Sequence, residues 1–213
     1  AEAEQLFRET LAGRRKNLGD RNANTLSTML SLAQLLHRTG GLDEAEELYR
    51  TNLALHTMQY GARHLDTLAI ASDLAKLLEA RGMLDESEDL ERQVFEGRKE
   101  CLDPMHTDTL QSMNNLALVL QARGQLREAE ELLRDALSSR TMVLGDHHAD
   151  TLTCKNNLAG VLFKAGEMIE AEGLFHEALH GRRALYGEDH PDTMQAANNL
   201  ASLLQSRGEL EKA

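Results

Sequence analysis

The segment HEALH, residues 176–180, contains residue types that could hold a catalytic zinc ion. On a helix, His176 and His180 lie four residues apart and could ligate one ion, while Glu177 between them could serve as the general base of a metalloprotease. Such an enzyme also needs a third protein ligand and a cleft that excludes water. Neither a GxxH continuation nor a suitably spaced glutamate follows this segment. The helix that carries it therefore decides its meaning.

The composition favours helices and argues against several classes of protein. Of the 213 residues, 41% are hydrophobic and only 3% aromatic, and 2 are prolines. The net charge of −12 would repel the phosphates of a nucleic acid. No apolar run approaches the roughly 20 residues that cross a bilayer, and the first ten residues lack the core of a signal peptide. Cys101 and Cys154 form no CxxC motif, so we expect reduced thiols in a cytoplasmic protein.

One pattern repeats along the whole chain with a period of 42 residues. Three series keep this spacing without a gap: Thr25, Thr67, Thr109, Thr151 and Thr193; Gly40, Gly82, Gly124, Gly166 and Gly208; and Ala33, Ala75, Ala117, Ala159 and Ala201. A further glycine series at the same spacing comprises Gly19, Gly61, Gly145 and Gly187. Its one missing position is occupied by Asp103, which Pro104 follows. Two glycine breakers per period predict a hairpin of two helices, here called A and B.

Local signals place the ends of these helices. The A helices are predicted to begin near residues whose side chains can cap an N-terminus, namely Asn24, Asp66, Asp108, Asp150 and Asp192. Gln111 and Gln195, three residues further on, could complete capping boxes. The B helices begin with acids and end with bases, which matches the helix dipole. Both helices carry an apolar stripe with a small residue in it, so each hairpin must stack on the next to bury these stripes.

The pattern predicts a single repeat segment over residues 1–213. A partial repeat contributes a B helix at 1–18, and residues 192–213 form an A helix and the start of another B helix. Four complete hairpins lie between them, over residues 24–60, 66–102, 108–144 and 150–186.

The carrying motif is clearest in two segments, GDHHADTLTCKNNLAGVLFKAGEMIEAEGLFHEAL from Gly145 and GEDHPDTMQAANNLASLLQSRGELEKA from Gly187. These residues resemble the tetratricopeptide repeat (TPR), in the long 42-residue form typical of kinesin light chains. The resemblance covers the whole chain. It implies an all-α, right-handed superhelical solenoid of antiparallel helix pairs, whose A helices line a concave groove that binds peptides.

The repeat register supplies a first answer on the histidines. His176 is equivalent to Arg8, Arg50, Arg92 and Arg134, and on a helical wheel both HEALH histidines lie opposite the buried stripe, so we expect them to face solvent. A second series, His64, His106, His148 and His190, precedes the A helices. Stacked helices lie too far apart for histidines of successive repeats to share one zinc ion, so we expect hydrogen bonding at the helix starts. We therefore predict no catalysis, no metal site and no cofactor.

One face of each A helix lies away from the leucine stripe, and we predict this face to be the floor of the groove. It supplies ten candidate peptide-binding residues: Arg38, Asp73, Lys76, Gln111, Asn115, Thr153, Asn157, Lys164, Gln195 and Asn199. The resemblance implies that the asparagines Asn115, Asn157 and Asn199 hold an extended peptide, since an amide both donates and accepts hydrogen bonds. Alternatively, these asparagines brace the adjacent A helix.

Two functions are consistent with these patterns. The first is an adaptor or scaffold module that binds an extended peptide or partner segment along the A helices, with the lysines and Arg38 favouring acidic side chains. The second is a structural or self-association segment of a larger receptor or scaffold, which would associate through apolar end faces. We expect neither a nucleic-acid nor a membrane partner.

Overall fold

Leucine stripes and glycine breakers divide the chain into helices of similar length. The computed structural model describes residues 2–208, and between these limits it contains ten α-helices and no strand. The B helices are α1 (Glu2–Leu18), α3 (Leu42–Tyr60), α5 (Leu84–Cys101), α7 (Leu126–Leu144) and α9 (Met168–Tyr186). The A helices are α2 (Ala23–Thr39), α4 (Leu65–Ala80), α6 (Thr107–Ala122), α8 (Ala149–Ala165) and α10 (Pro191–Ser206). The all-α prediction is confirmed. The predicted start of a further B helix after Gly208 lies outside the described residues.

The helices form two compact units. The first runs to Asp103 and the second begins at Pro104, where the second glycine series is interrupted. Gly61, Gly145 and Gly187 end their B helices with φ between 85° and 92°, which glycine adopts readily. Helix α5 ends instead at Leu102, whose φ of −124° and ψ of 170° are extended. The connection between the units therefore has its own backbone conformation.

The cores of both units come from the predicted stripes. In the first unit, Leu32, Leu36 and Leu74 join Tyr49 and Leu48 in one buried cluster. In the second, the corresponding leucines of α6 and α8 are buried beside Leu133 and Phe175. Alanines of the 42-residue series pack where helices cross, and Ala33, Ala75, Ala117 and Ala159 are all fully buried. The prediction that hairpins stack through these stripes is confirmed within each unit.

The helix starts differ from the sequence-based expectation. The N-cap of α4 is His64, not Asp66, and its Nδ1 accepts a hydrogen bond from the Asp66 backbone N–H. The other histidines of the series, His106, His148 and His190, cap α6, α8 and α10 in the same way, and Asn22 caps α2. The N-caps thus lie two residues before the proposed ones, and the helices begin one residue before them. Gln111 and Gln195 form no capping box, because their amides donate to Asn115 and Asn199.

Two sets of arginines connect successive hairpins. On the exposed side of the B helices, Arg50 bonds both carboxylate oxygens of Glu86 at 2.6 and 2.8 Å, and Arg134 bonds Glu170 at 2.6 and 2.9 Å. At the ends of two B helices, Arg140 and Arg182 are buried and donate to backbone carbonyls at the start of the next A helix. The first set is a surface ladder, whereas the second fixes the stacking of the hairpins.

Candidate functional site

The HEALH segment lies on the surface of α9. His176 and His180 are exposed, as predicted, and His176 lies 3.9 Å from Glu172 one turn earlier. Glu177, the residue that would serve as a base, accepts a 2.8 Å hydrogen bond from Lys155 of α8. Within residues 2–208, no three histidine, cysteine or acidic side chains are grouped as metal ligands. The side chains of this segment therefore belong to the helix surface and to an ion pair between α8 and α9.

The second histidine series has the capping role expected for it. The backbone N–H groups of Asp66, Asp108, Asp150 and Asp192 lie 3.1 to 3.3 Å from the Nδ1 atoms of the four histidines. These histidines position the first turns of four A helices and do not converge on a ligand.

An open cleft lies on the A helices of the second unit, with a volume of about 280 Å³. Three of the predicted residues, Asn157, Lys164 and Asn199, line it. Phe163 of α8 and Phe175 of α9 form its apolar part, and Phe175 is almost fully buried. The remaining lining residues are Leu118, Gln121, Asn156, Gly160 and Ser202. The cleft thus combines an aromatic floor with amides and one ammonium group.

The asparagines connect adjacent A helices. The amide of Asn157 donates to Oδ1 of Asn114 at 2.8 Å, and that of Asn199 donates to Oδ1 of Asn156 at 2.9 Å. Oδ1 of Asn199 accepts from Gln195, whereas in the part of the chain that the structure describes no group donates to Oδ1 of Asn157. Asparagine bracing, the alternative to peptide binding, is therefore present. It leaves Oδ1 of Asn157 without a hydrogen-bond donor among the described residues.

Hydrogen bonds from neighbouring side chains hold three of the predicted residues, Asn115, Gln111 and Thr153. Asn115 is buried, with 8% exposure, and its Oδ1 accepts a 2.8 Å bond from Gln111. Gln111 also accepts a 3.1 Å bond from the buried Arg140, and Thr153 accepts a 3.2 Å bond from the buried Arg182. These hydrogen bonds link α6 and α8 to the B helices that follow them. The sequence pattern indicated only that bases end the B helices, and it did not show that two of them reach the preceding A helix.

The first unit has an open cleft in the equivalent position, with a volume of about 480 Å³. Its residues occur three periods before those of the second-unit cleft: Ser31 for Asn157, His37 for Phe163, Arg38 for Lys164, Tyr49 for Phe175 and Asp73 for Asn199. Gln34 and Phe7 complete the lining. The aromatic residues were not among the predicted ones. His37 and Phe163 lie beside the predicted face of the A helices, and Phe7, Tyr49 and Phe175 lie on the B helices.

Charge distinguishes the two clefts. In the first unit Gln34 donates to Asp73 at 2.9 Å, and burial, with Asp73 nearby, raises the pKa of Tyr49 above its ordinary range. Arg38 lines the same cleft, so both signs of charge are present. The remaining predicted cation, Lys76, is exposed and is not among the lining residues. In the second unit Lys164 is the charged member of the lining, which gives that cleft a positive bias.

Among the described helices, none combines the length and the apolar character that a bilayer span requires.

Comparison with family models agrees with the repeat pattern. Residues 109–150 and 151–192 each match a model described as tetratricopeptide repeat, and a second model of the same description matches residues 1–51 and 33–100. No curated protein matches the chain.

Several solved structures have the same fold. One contains the nearly identical TPR-like repeats of a protein from Podosopora anserina described as a kinesin light chain; it is 27% identical, with a TM-score of 0.76 over 87% of this chain and 88% of that one. A single-residue variant of that protein is also 27% identical, with a TM-score of 0.78 over 86% and 87%. BtubC (BKLC) from P. vanneervenii is 22% identical and has a TM-score of 0.79 over 99% of this chain and 85% of that one. This last likeness concerns the fold alone.

Proposed function

Because the chain belongs to the tetratricopeptide repeat family, whose members generally mediate protein–protein interaction and scaffolding, we propose that it binds an extended peptide on its A helices. The observation that carries this proposal is the cleft of the second unit, where amides and Lys164 surround the aromatic floor of Phe163 and Phe175. Such a combination of an apolar base and a few directed polar groups is typical of ligand sites.

Each part of this cleft has a separate role in the proposal. Oδ1 of Asn157 accepts a backbone N–H of the peptide, because its amide nitrogen is already used in bracing α6. Phe163 and Phe175 contact an apolar side chain. Lys164 is exposed and attracts a carboxylate on the neighbouring residue. The ligand is therefore an extended segment with an apolar residue next to an acidic one.

The cleft of the first unit favours ligands of different chemistry. Arg38 favours a carboxylate, while Asp73 favours a group that donates hydrogen bonds. Tyr49 and Phe7 supply apolar surface. Lys76, outside the lining, contributes only a long-range attraction for acidic residues, which salt screens.

The test begins with selection of ligands for the whole chain from a random peptide library, followed by calorimetry on a selected peptide. Three variants replace a cleft residue with the residue found at the same place in another repeat: Phe163→Gln, Lys164→Ala and Asn157→Ser. We expect the first to weaken binding most, and Asn157→Ser to cost about 0.5 to 1.5 kcal/mol, the net value of one hydrogen bond. Lys164→Ala should reduce the salt dependence of binding.

His176→Ala is the control, since this exposed side chain lies on α9 and is not part of the lining. Selected peptides that bind all three cleft variants as tightly as the parent chain would move the site away from the A helices. Sedimentation of the free chain, read alongside, tests the alternative function: a dimer that excludes the selected peptides would favour self-association over adaptor binding.

A further inference from the structure

A second kind of cleft lies between two B helices of the first unit, away from the residues assigned to peptide binding. It has a volume of about 420 Å³ and opens between α3 and α5. Leu53 of α3, Leu68 and Ala71 of α4, and Leu90 of α5 form its apolar lining. Leu68 and Ala71 are nearly fully buried and pack in one cluster with Val94.

The repeat register explains why this space is open. The position of Ala71 is held by Met29 in α2 and by Lys155 in α8, and both of these side chains are buried. Met29 belongs to the first-unit core, and the stem of Lys155 crosses between α7 and α9 to reach Asp146 and Glu177 at 2.7 and 2.8 Å. Ala71 offers a single methyl group in the same place. Met113 of α6 holds the same position and is half-buried, so the chain places an unbranched side chain here in three repeats and leaves room for one at Ala71.

The wall of this cleft is set by a close helix contact. A Cβ atom at Gly97 of α5 would lie 2.9 Å from both δ-carbons of Leu68, and Gly181 has the same relation to Leu152 in the second unit. Glycine thus lets the B helix approach the A helix closely in both places. Since the two surroundings match, the open space follows from Ala71 and not from a different helix packing.

The rim of the cleft is polar and contains carboxylates. Arg63 pairs with Glu100 at 2.5 Å, whereas Glu96, the other acid of the lining, is exposed and forms no ion pair with the described residues. Thr57 and Gln93 complete the rim. An occupant that enters from outside therefore meets a negative charge first and an apolar lining behind it.

We propose that this cleft binds one apolar side chain, of leucine or methionine size, presented by a partner polypeptide with a lysine or arginine beside it. The size follows from Met29 and Lys155, which fill the equivalent space, and the basic neighbour follows from Glu96 at the rim. The partner approaches the B helices, so this surface can be occupied together with the A-helix cleft. The proposal does not depend on the peptide-binding function.

The experiment uses methyl NMR of the whole chain with two probe tripeptides, acetyl-Lys-Leu-Lys-amide and acetyl-Lys-Gly-Lys-amide, at millimolar concentration. We expect the leucine peptide to shift the methyl signals of Leu53, Leu68 and Leu90, and the glycine peptide to shift them little. Ala71→Met, which places the side chain of the equivalent Met29 in the cleft, should weaken the leucine peptide about tenfold or more. Glu96→Gln leaves the apolar lining intact and should weaken it by a smaller factor.

Phe163→Gln is the matched control, because it alters the other cleft and should leave these shifts unchanged. Equal shifts with both peptides, or no shift in the three leucines, would overturn the proposal. So would leucine-peptide shifts that persist undiminished in folded Ala71→Met. If that variant is unfolded by circular dichroism, Glu96→Gln and the glycine peptide still decide the outcome.

Discussion

Lys155 offers a direct test of what fills the space between B helices. Its ammonium lies between Asp146 and Glu177 at 2.7 and 2.8 Å, although the residue is only 5% exposed. Burial by itself lowers the pKa of Lys155, but the hydrogen bonds to the two carboxylates outweigh it and the pKa is raised. The side chain is therefore charged, with a buried stem and a paired head.

The two parts of this side chain have separable energies. Lys155→Ala removes about three buried methylenes, worth about 0.8 kcal/mol each, and two partly exposed ion pairs, worth about 0.2 to 1 kcal/mol each. The side chains of Asp146 and Glu177 are 50% and 58% exposed, so their carboxylates return to water without a large penalty. We expect Lys155→Ala to lower the free energy of unfolding by about 3 to 4 kcal/mol.

Lys155→Met should lower it far less, by about 1 kcal/mol or not at all. It keeps the apolar stem, as Met29 does in α2, and removes the desolvation of the ammonium group. Urea unfolding followed by circular dichroism measures both variants, and Glu177→Gln reports one ion pair alone. If Lys155→Met proved as unstable as Lys155→Ala, the ion pairs and not the filled space would hold α8 between its B helices.

Three further predictions concern the contacts between hairpins. His148→Ala should lower the free energy of unfolding by about 1 kcal/mol, because the α8 cap is lost, while His148→Asn should leave it nearly unchanged; urea midpoints at neutral pH compare the two. Arg134 lowers the pKa of Glu170 through its hydrogen bonds. Their pairing therefore contributes fully to the free energy of unfolding above the unfolded-state pKa of Glu170, about 4.3, and this contribution is lost as pH falls through the lower native pKa. Arg134→Ala should thus lower the free energy of unfolding by under about 1 kcal/mol at pH 7, and the difference from the parent chain should disappear in acid. A difference that grew in acid would contradict this prediction. Arg140→Ala should lower stability by about 2 kcal/mol, since the partly buried backbone carbonyl of Asp150 and the side chain of Gln111 lose their donor. An unchanged urea midpoint would show that water replaces the arginine.

The sequence predicted the fold class because the determinants of the helix pairs are local. Glycine breakers and leucine stripes act within one repeat, and five copies in register average out the weakness of any one signal. The exact helix starts could not be predicted from these rules. Histidine is not among the preferred capping residues, so the aspartate two positions later was chosen in its place.

The candidate site was only partly predictable, since a helical wheel shows direction and not hydrogen-bond partners. The wheel placed Asn115 and Asn157 on the same face. Asn115, however, is buried and accepts a hydrogen bond from Gln111, whereas Asn157 lines an open cleft. Phe163 and Phe175 were absent from the prediction because Phe163 lies beside the predicted face and Phe175 lies on a B helix. Partners from adjacent helices decide such cases, and they depend on stacking between repeats.

The residues that differ between repeats shape the clefts of this chain more than the residues that repeat. Ala33, Ala75, Ala117 and Ala159 belong to a series that repeats without change, and they are buried where hairpins stack. Positions that change from repeat to repeat determine where space remains. Ala71 leaves a cleft open, whereas Lys155 fills the equivalent space in the second unit. Phe163 makes one A-helix cleft apolar, whereas His37 makes the equivalent cleft polar. Stacking requires the invariant positions to be alike, whereas binding requires no such likeness. The clefts of the two units can therefore differ in ligand while the units share one fold.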